Sequence, residues 1–245
     1  MDLRTLVFDA RPDLHEQADE IFNAGWPEFV FHDPVADQQM GQVRQWFAEL
    51  NLLLVDHEDR IVAGGWGVPV RWDGTPEDLP GGYDDALVRA VELREKAGQA
   101  DTLVIAAAQV RGDLQGRGLA AEVLRQLASA GERSGLTRVI APVRPALKAR
   151  YPLTPMEQFM SWTRADGAPM DPWLRTHDRM GARILCAAER SMVMRGSVAE
   201  WEEWVGFALP ASGRYVVPGA LAPVVIDRAI DQGELVEPNV WVRHR

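Results

Sequence analysis

The sequence predicts a mixed α/β chain, and three observations carry that reading. Apolar residues alternate or run unbroken in short stretches such as Leu103–Val110, while others recur at helical spacing, as in Leu119, Val123, Leu124 and Leu127. The two kinds of segment interleave along the whole chain. Between the two just named lies a glycine-punctuated turn, Gln115-Gly116-Arg117-Gly118-Leu119-Ala120, which marks a strand-to-helix junction.

The elements follow in order. Residues 3–9 alternate as a strand, and Pro12 opens a helix whose apolar face is Leu14, Ala18, Ile21 and Phe22. A second helix near 36–49 carries Met40, Val43, Trp46 and Phe47. A hairpin pairs 52–55 with 61–63 across His57-Glu58-Asp59-Arg60. The loop 72–82 is rich in Pro, Gly and Asp, and a helical pattern near 84–96 follows. Next come a strand at 103–110, a helix at 117–131 and a buried strand at 139–143. Prolines 145, 152, 155, 169 and 172 break up 145–173, which reads as an inserted helix-loop segment. A helix at 172–180, a strand at 183–194 and a C-terminal hairpin pairing 224–226 with 240–242 complete the chain, all as one domain with a C-terminal extension over about 197–245.

Composition sets bounds. With 245 residues, 47% hydrophobic and 25% charged, the chain can bury a sizeable core and has ordinary globular composition. A net charge of −10 argues against a nucleic-acid-coating surface. The single cysteine, Cys186, excludes an internal disulfide and a cysteine-rich metal site. Met1-Asp2-Leu3-Arg4 carries no apolar leader and no run reaches membrane-spanning length, so the expectation is a cytoplasmic protein without a membrane or metal.

A glycine turn opening a helix leaves backbone N–H groups free at a positive helix end, which suits a phosphate-bearing ligand. A P-loop needs Lys and Ser/Thr after its last glycine, and neither is present. Gly116-x-Gly118-x-x-Ala121 satisfies a dinucleotide fingerprint in form, but the five residues Arg111 to Gln115 separate it from the strand, and the next strand ends at Val143-Arg144 without a ribose-binding carboxylate.

Gln115-x-x-Gly118-x-Ala120, preceded by Val110-Arg111-Gly112-Asp113-Leu114, resembles the Q/R-x-x-G-x-G/A signature of the GNAT superfamily, the Gcn5-related N-acetyltransferases. The upstream order of elements is similar as well. The resemblance implies a mixed central sheet with helices on both faces and a fourth and fifth strand (103–110 and 139–143) splayed apart. It implies acetyl-CoA or coenzyme A as acyl donor, held by Gln115, Gly116, Arg117, Gly118, Leu119 and Ala120, with Gln109 and Val110 beside the thioester. The expected activity is acyl transfer, acetyl above all, to the amine of a small molecule. The alternatives are a non-catalytic acyl-CoA-binding module, a longer acyl-CoA or aminoacyl-tRNA donor, or an NAD(P)-dependent oxidoreductase. A homodimer is compatible with the late tryptophans. The family's tyrosine acid has two partial matches. Counting forward from Arg144 reaches Tyr151, and counting back from Gly181 reaches His177, so both are candidate catalytic residues.

Overall fold

The computed structural model describes residues 3–245; Met1 and Asp2, the start of the stretch read as lacking a leader, lie outside the described residues. The strands are β1 (Arg4–Val7), β2 (Asn51–Val55), β3 (Ile61–Val70), β4 (Thr102–Val110), β5 (Arg138–Val143), β6 (Arg183–Gly196), β7 (Gly213–Tyr215), β8 (Val224–Asp227) and β9 (Gln232–Arg243). The helices are α1 (His15–Asn23), α2 (Pro34–Trp46), α3 (Tyr83–Glu95), α4 (Leu119–Arg133), α5 (Met156–Met160), α6 (Pro172–Arg179) and α7 (Val198–Val205). All nine strands join one sheet of order β1-β2-β3-β4-β5-β9-β8-β7, with β6 on the other edge of β9. Only the β4–β5 pairing is parallel.

Helices cover both faces, as expected. The main core seats α4 through Leu119, Val123, Leu124 and Leu127 and α3 through Leu87, Ala90 and Val91. A smaller cluster, Leu14, Ala18, Leu53, Val55 and Ile61, seats α1. Alternation along β2 divides these faces, since Leu52 and Leu54 join the main core and Leu53 and Val55 the smaller one. A third cluster packs the segment between β6 and β9 onto the α1–α2 loop, with Trp201, Val217, Val224 and Leu235 against Phe29.

Three expectations need correction. The third strand runs to Val70 rather than ending at Ala63. Gly64, Gly65, Gly67 and Pro69 lower its intrinsic strand preference, but bare backbone is what lets Phe22 press from one face and Val123 from the other. The last hairpin joins β8 to the beginning of β9, Val225 opposite Glu234, so 240–242 do not pair with 224–226. Those residues instead lie between β5 and β6, with Val240 opposite both Val143 and Ala187. The stretch 197–245 therefore ends in a central strand and is no mere extension. Glu234, Glu237 and Asn239 break its apolar pattern and disguise its length.

Candidate active site

β4 and β5 pair only from Thr102 to Val104 against Arg138 to Ile140; beyond this, β4 keeps β3 as its partner and the two strands part. A bulge sits at the parting. Trp66 lies opposite Ala107 and Gly67 opposite Ile105, leaving Ala106 unpaired, and the added residue bends β4 locally. Past the bulge, the Arg111 N–H donates to Val62 O at 3.0 Å. By antiparallel alternation, Ala108 and Val110 turn their main-chain groups away from β3 and into the gap. Gln109 turns its main chain toward β3. Its side chain accepts from Trp26 Nε1 at 2.9 Å and donates to Ile21 O and Ala24 O at 2.9 and 3.1 Å. Val110 is thus a cleft residue, while Gln109 anchors the α1–α2 loop to β4.

The glycine turn closes this end of β4. Buried Leu114 pins it, Gln115 to Gly118 are exposed, and Arg111 Nε bonds Asp113 at 2.7 Å, which with its charge holds that carboxyl below its ordinary range. Gly116 and Gly118 have φ of 77° and 80°, a left-handed backbone that glycine adopts without strain. Gly118 caps α4 with no side-chain bond, so the N–H groups of the first turn have no intrahelical acceptor. A Cβ built on either glycine meets nothing within 4 Å. The space above the turn is therefore open to a ligand, and any side chain there would occupy it. This cradle fits the phosphates of coenzyme A. Arg117 is exposed beside it and makes no side-chain bond among the described residues.

On the face that carries α1, a second set of groups bridges the gap. Half-buried Trp26 bonds β4 through Gln109, and the Arg144 guanidinium lies 5.3 Å from the Trp26 ring centroid. Arg144, just past β5, donates through Nε and Nη2 to Glu237 of β9 at 2.5 and 3.1 Å, and through Nη2 to Gly219 O at 2.7 Å. Glu237 is fully buried. Nearby on the sheet, Ser191 of β6 accepts from Tyr83 N at 2.9 Å and donates to Asn239 Oδ1 at 2.6 Å.

Two further carboxyls, buried Asp33 and half-buried Asp84, join α2, α3 and β6. Asp33 caps α2 through Oδ1, 2.9 Å from Val35 N and 3.2 Å from Ala36 N, and Asp84 accepts from Val193 N at 3.1 Å. Their remaining oxygens, Asp33 Oδ2 and Asp84 Oδ1, are buried without another partner. Burial first, and then Asp33, pushes the Asp84 carboxyl up to about 8, so Asp84 holds a proton at neutral pH. Lys148, also fully buried, donates to Tyr151 O at 2.9 Å and Leu221 O at 2.5 Å, tying the inserted segment to the loop before β8.

The two catalytic candidates fall in different places. Tyr151 follows β5 at the cleft end of the sheet, with its ring 4.9 Å from that of Trp162 and 6.0 Å from that of Phe159. His177 is not brought to the cleft. It is 1% exposed, and its Nδ1 lies 2.9 Å from His244 Nε2. The His244 N–H in turn bonds Val139 O, and Val139 is level with Leu103, roughly 20 Å of strand from Val110 at about 3.3 Å per residue. Burial, then His244, lowers the His177 imidazole to about 3, which keeps it neutral. Residues 145–173 thus return the chain to the start of β5 before α6 begins, and His177 lies there.

Sequence reading did not assemble Trp26, Asp33, Asp84, Ser191 and Asn239, because they sit on five separate elements. Arg144 entered the sequence reading as the point from which Tyr151 is counted.

No protein-family model matches the chain. Arginine N-acetyltransferase avaD of Aspergillus versicolor is 28% identical over 266 residues, covering 96% of this chain and 91% of the relative. The loading GNATL domain of CurA from Lyngbya majuscula superposes with a TM-score of 0.62 at 17% identity, over 99% of this chain and 96% of that domain. The GphF GNAT-like decarboxylase in complex with isobutyryl-CoA gives a TM-score of 0.55 at 16% identity, over 100% and 98% of the two chains. The glycine turn and the parted fourth and fifth strands thus stand in a fold shared with solved GNAT-like proteins, in a chain similar along nearly its whole length to an arginine N-acetyltransferase.

Proposed function

We propose that the protein is an acyl-CoA-dependent N-acyltransferase that passes an acyl group, acetyl in the simplest case, to the amine of a small cationic acceptor of the arginine type. The observation that carries this reading is the glycine turn opening onto the gap between β4 and β5, with outward main-chain groups at Ala108 and Val110 leading to the exposed turn from Gln115 to Gly118. The similarity to an arginine N-acetyltransferase supports the acceptor class, as does the chain's charge of −10, which attracts cations over a distance.

Each part of the path has a task. Backbone N–H groups from Gln115 to Ala120 hold the pyrophosphate of the donor, and Arg117 adds a cation beside it. The free edge of β4 at Ala108 and Val110 pairs with the extended arm of coenzyme A, which supplies the acyl thioester. The Val110 N–H is placed to donate to a carbonyl oxygen as it gains charge. The acceptor enters from the opposite face, past Trp26 and the α1–α2 loop, so that two reactants meet in one narrow gap. Holding them together lowers the entropic part of the barrier. The neutral amine forms its N–C bond as the C–S bond breaks, its surplus N–H proton passes to solvent, and Tyr151 gives the departing sulfur a proton that the phenol regains from water.

The test is release of free thiol from acetyl-CoA with arginine and related amines, alongside calorimetry with acetyl-CoA, CoA and NADPH. Amine-dependent thiol release with CoA binding supports the reading. Tight CoA binding with no release for any amine indicates a binding module, and NADPH binding without CoA binding refutes the assignment outright.

A further inference from the structure

Arg144 is held more firmly than a surface arginine. Nε and Nη2 grip the fully buried Glu237, Nη2 also bonds Gly219 O, and the guanidinium rests over Trp26. The remaining nitrogen, Nη1, has no partner among the described residues, and the side chain is 20% exposed. A guanidinium is planar, so a fork made by Nε and Nη2 turns the Nη1 protons away from the carboxylate. The result is a rigid, unengaged donor at the exit of β5, across the gap from Gln109 and Val110 and on the face open to the acceptor.

Resting on the N-acyltransferase reading, we propose that Arg144 is a specificity residue whose Nη1 binds a carbonyl-type oxygen of the acceptor, the carboxylate of a free amino acid or the carbonyl of its amide. Glu237 already balances the guanidinium charge, so Nη1 reads its ligand as a hydrogen-bond acceptor more than as a counter-ion. An amide carbonyl therefore competes with a carboxylate. The acceptor class narrows to amines derived from amino acids that keep the oxygen at C1. Trp26 supports the guanidinium from one side, and the loop at Gly219 fixes it from the other, which leaves little freedom to reorganise on binding.

Arginine, argininamide and agmatine share the guanidino chain, and agmatine alone lacks the oxygen. With acetyl-CoA saturating, wild-type protein is expected to show a KM for agmatine about ten-fold or more above those for arginine and argininamide, the usual worth of one hydrogen bond to a charged donor. In Arg144→Lys the cation still pairs with Glu237 while the Nη1 donor is lost, so this selectivity should collapse toward unity. Melting temperature and CoA affinity check that the variant is folded. A wild type that does not distinguish the three acceptors, or a variant in which all three KM values move in parallel, overturns the assignment while leaving acyl transfer intact. Absence of transfer to all three overturns both. A lower KM for argininamide than for arginine assigns the oxygen to an amide source, and the reverse to a carboxylate.

Discussion

Gly118→Ala separates what the turn does for folding from what it does for the ligand. Gly118 has φ 80° and ψ 2°, a conformation that costs an L-residue about 1–2 kcal/mol, offset in part by about 0.4–1 kcal/mol from the stiffer unfolded chain. The new Cβ meets nothing within 4 Å, so no packing penalty adds to this. A net loss near 1 kcal/mol lowers the melting temperature by about 2–4 °C in a domain of this size. Ligand binding should suffer far more, because the Cβ projects into the space where a phosphate must approach the backbone. Losing one or two charge-assisted N–H bonds costs about 3 kcal/mol, roughly a hundred-fold in Kd. The assay is melting with and without CoA, backed by calorimetry. At a CoA concentration about 100-fold above the wild-type Kd, the wild type gains about 2.7 kcal/mol and the variant only about 0.4, so nearly all of the ligand-induced rise in melting temperature should vanish. A rise equal to that of wild type would show that the phosphates do not sit on this turn, and the assignment of Gly116 and Gly118 would fall with it.

The other predictions concern the buried titrating groups and the proposed acid. The Asp84 carboxyl is raised above its ordinary value by burial and by Asp33, so between about pH 4 and 8 the folded protein keeps a proton that the unfolded chain gives up. Stability should fall across that window. In Asp84→Asn a neutral amide takes the place of the protonated carboxyl, and urea melts should show a flatter pH dependence there and no loss of stability at pH 8; an unchanged or steeper decline would mean that Asp84 is not the group that holds the proton. His177 is lowered to about 3, so its contribution is complete above about pH 6.5 and is lost as the pH falls from there toward 3, where the unfolded chain binds the proton more readily. His177→Gln should reduce that acid sensitivity and leave the thiol-release kcat within about two-fold; a loss of a hundred-fold or more would return His177 to the chemistry, by the usual worth of a general acid or base. Tyr151→Phe should lower kcat by about ten-fold to a hundred-fold at unchanged KM for acetyl-CoA, and equal rates would remove the phenol from the proton path.

The glycine turn was legible because its geometry is local. Glycines that adopt positive φ, a polar connection and an apolar strand before a helix are all encoded within twenty residues, and the backbone itself shapes the turn. The acceptor side was not legible, since Trp26, Arg144 and Glu237 come from three distant segments and each is unremarkable alone. Gly64, Gly65 and Gly67 look like strand breakers until helices are packed on both faces of β3. His177 and Tyr151 could not be told apart by counting, because spacing says nothing of how an inserted segment crosses the sheet.

By itself, then, the sequence determined the α/β class, the order of elements through β5 and the glycine turn that opens α4, all of which follow from periodicity and local turn chemistry. Tertiary structure alone decided that β9 lies between β5 and β6, that His177 is buried far from the gap, and that Arg144 presents a single open donor beside Trp26. These depend on which remote backbone groups meet, and local propensity does not encode that.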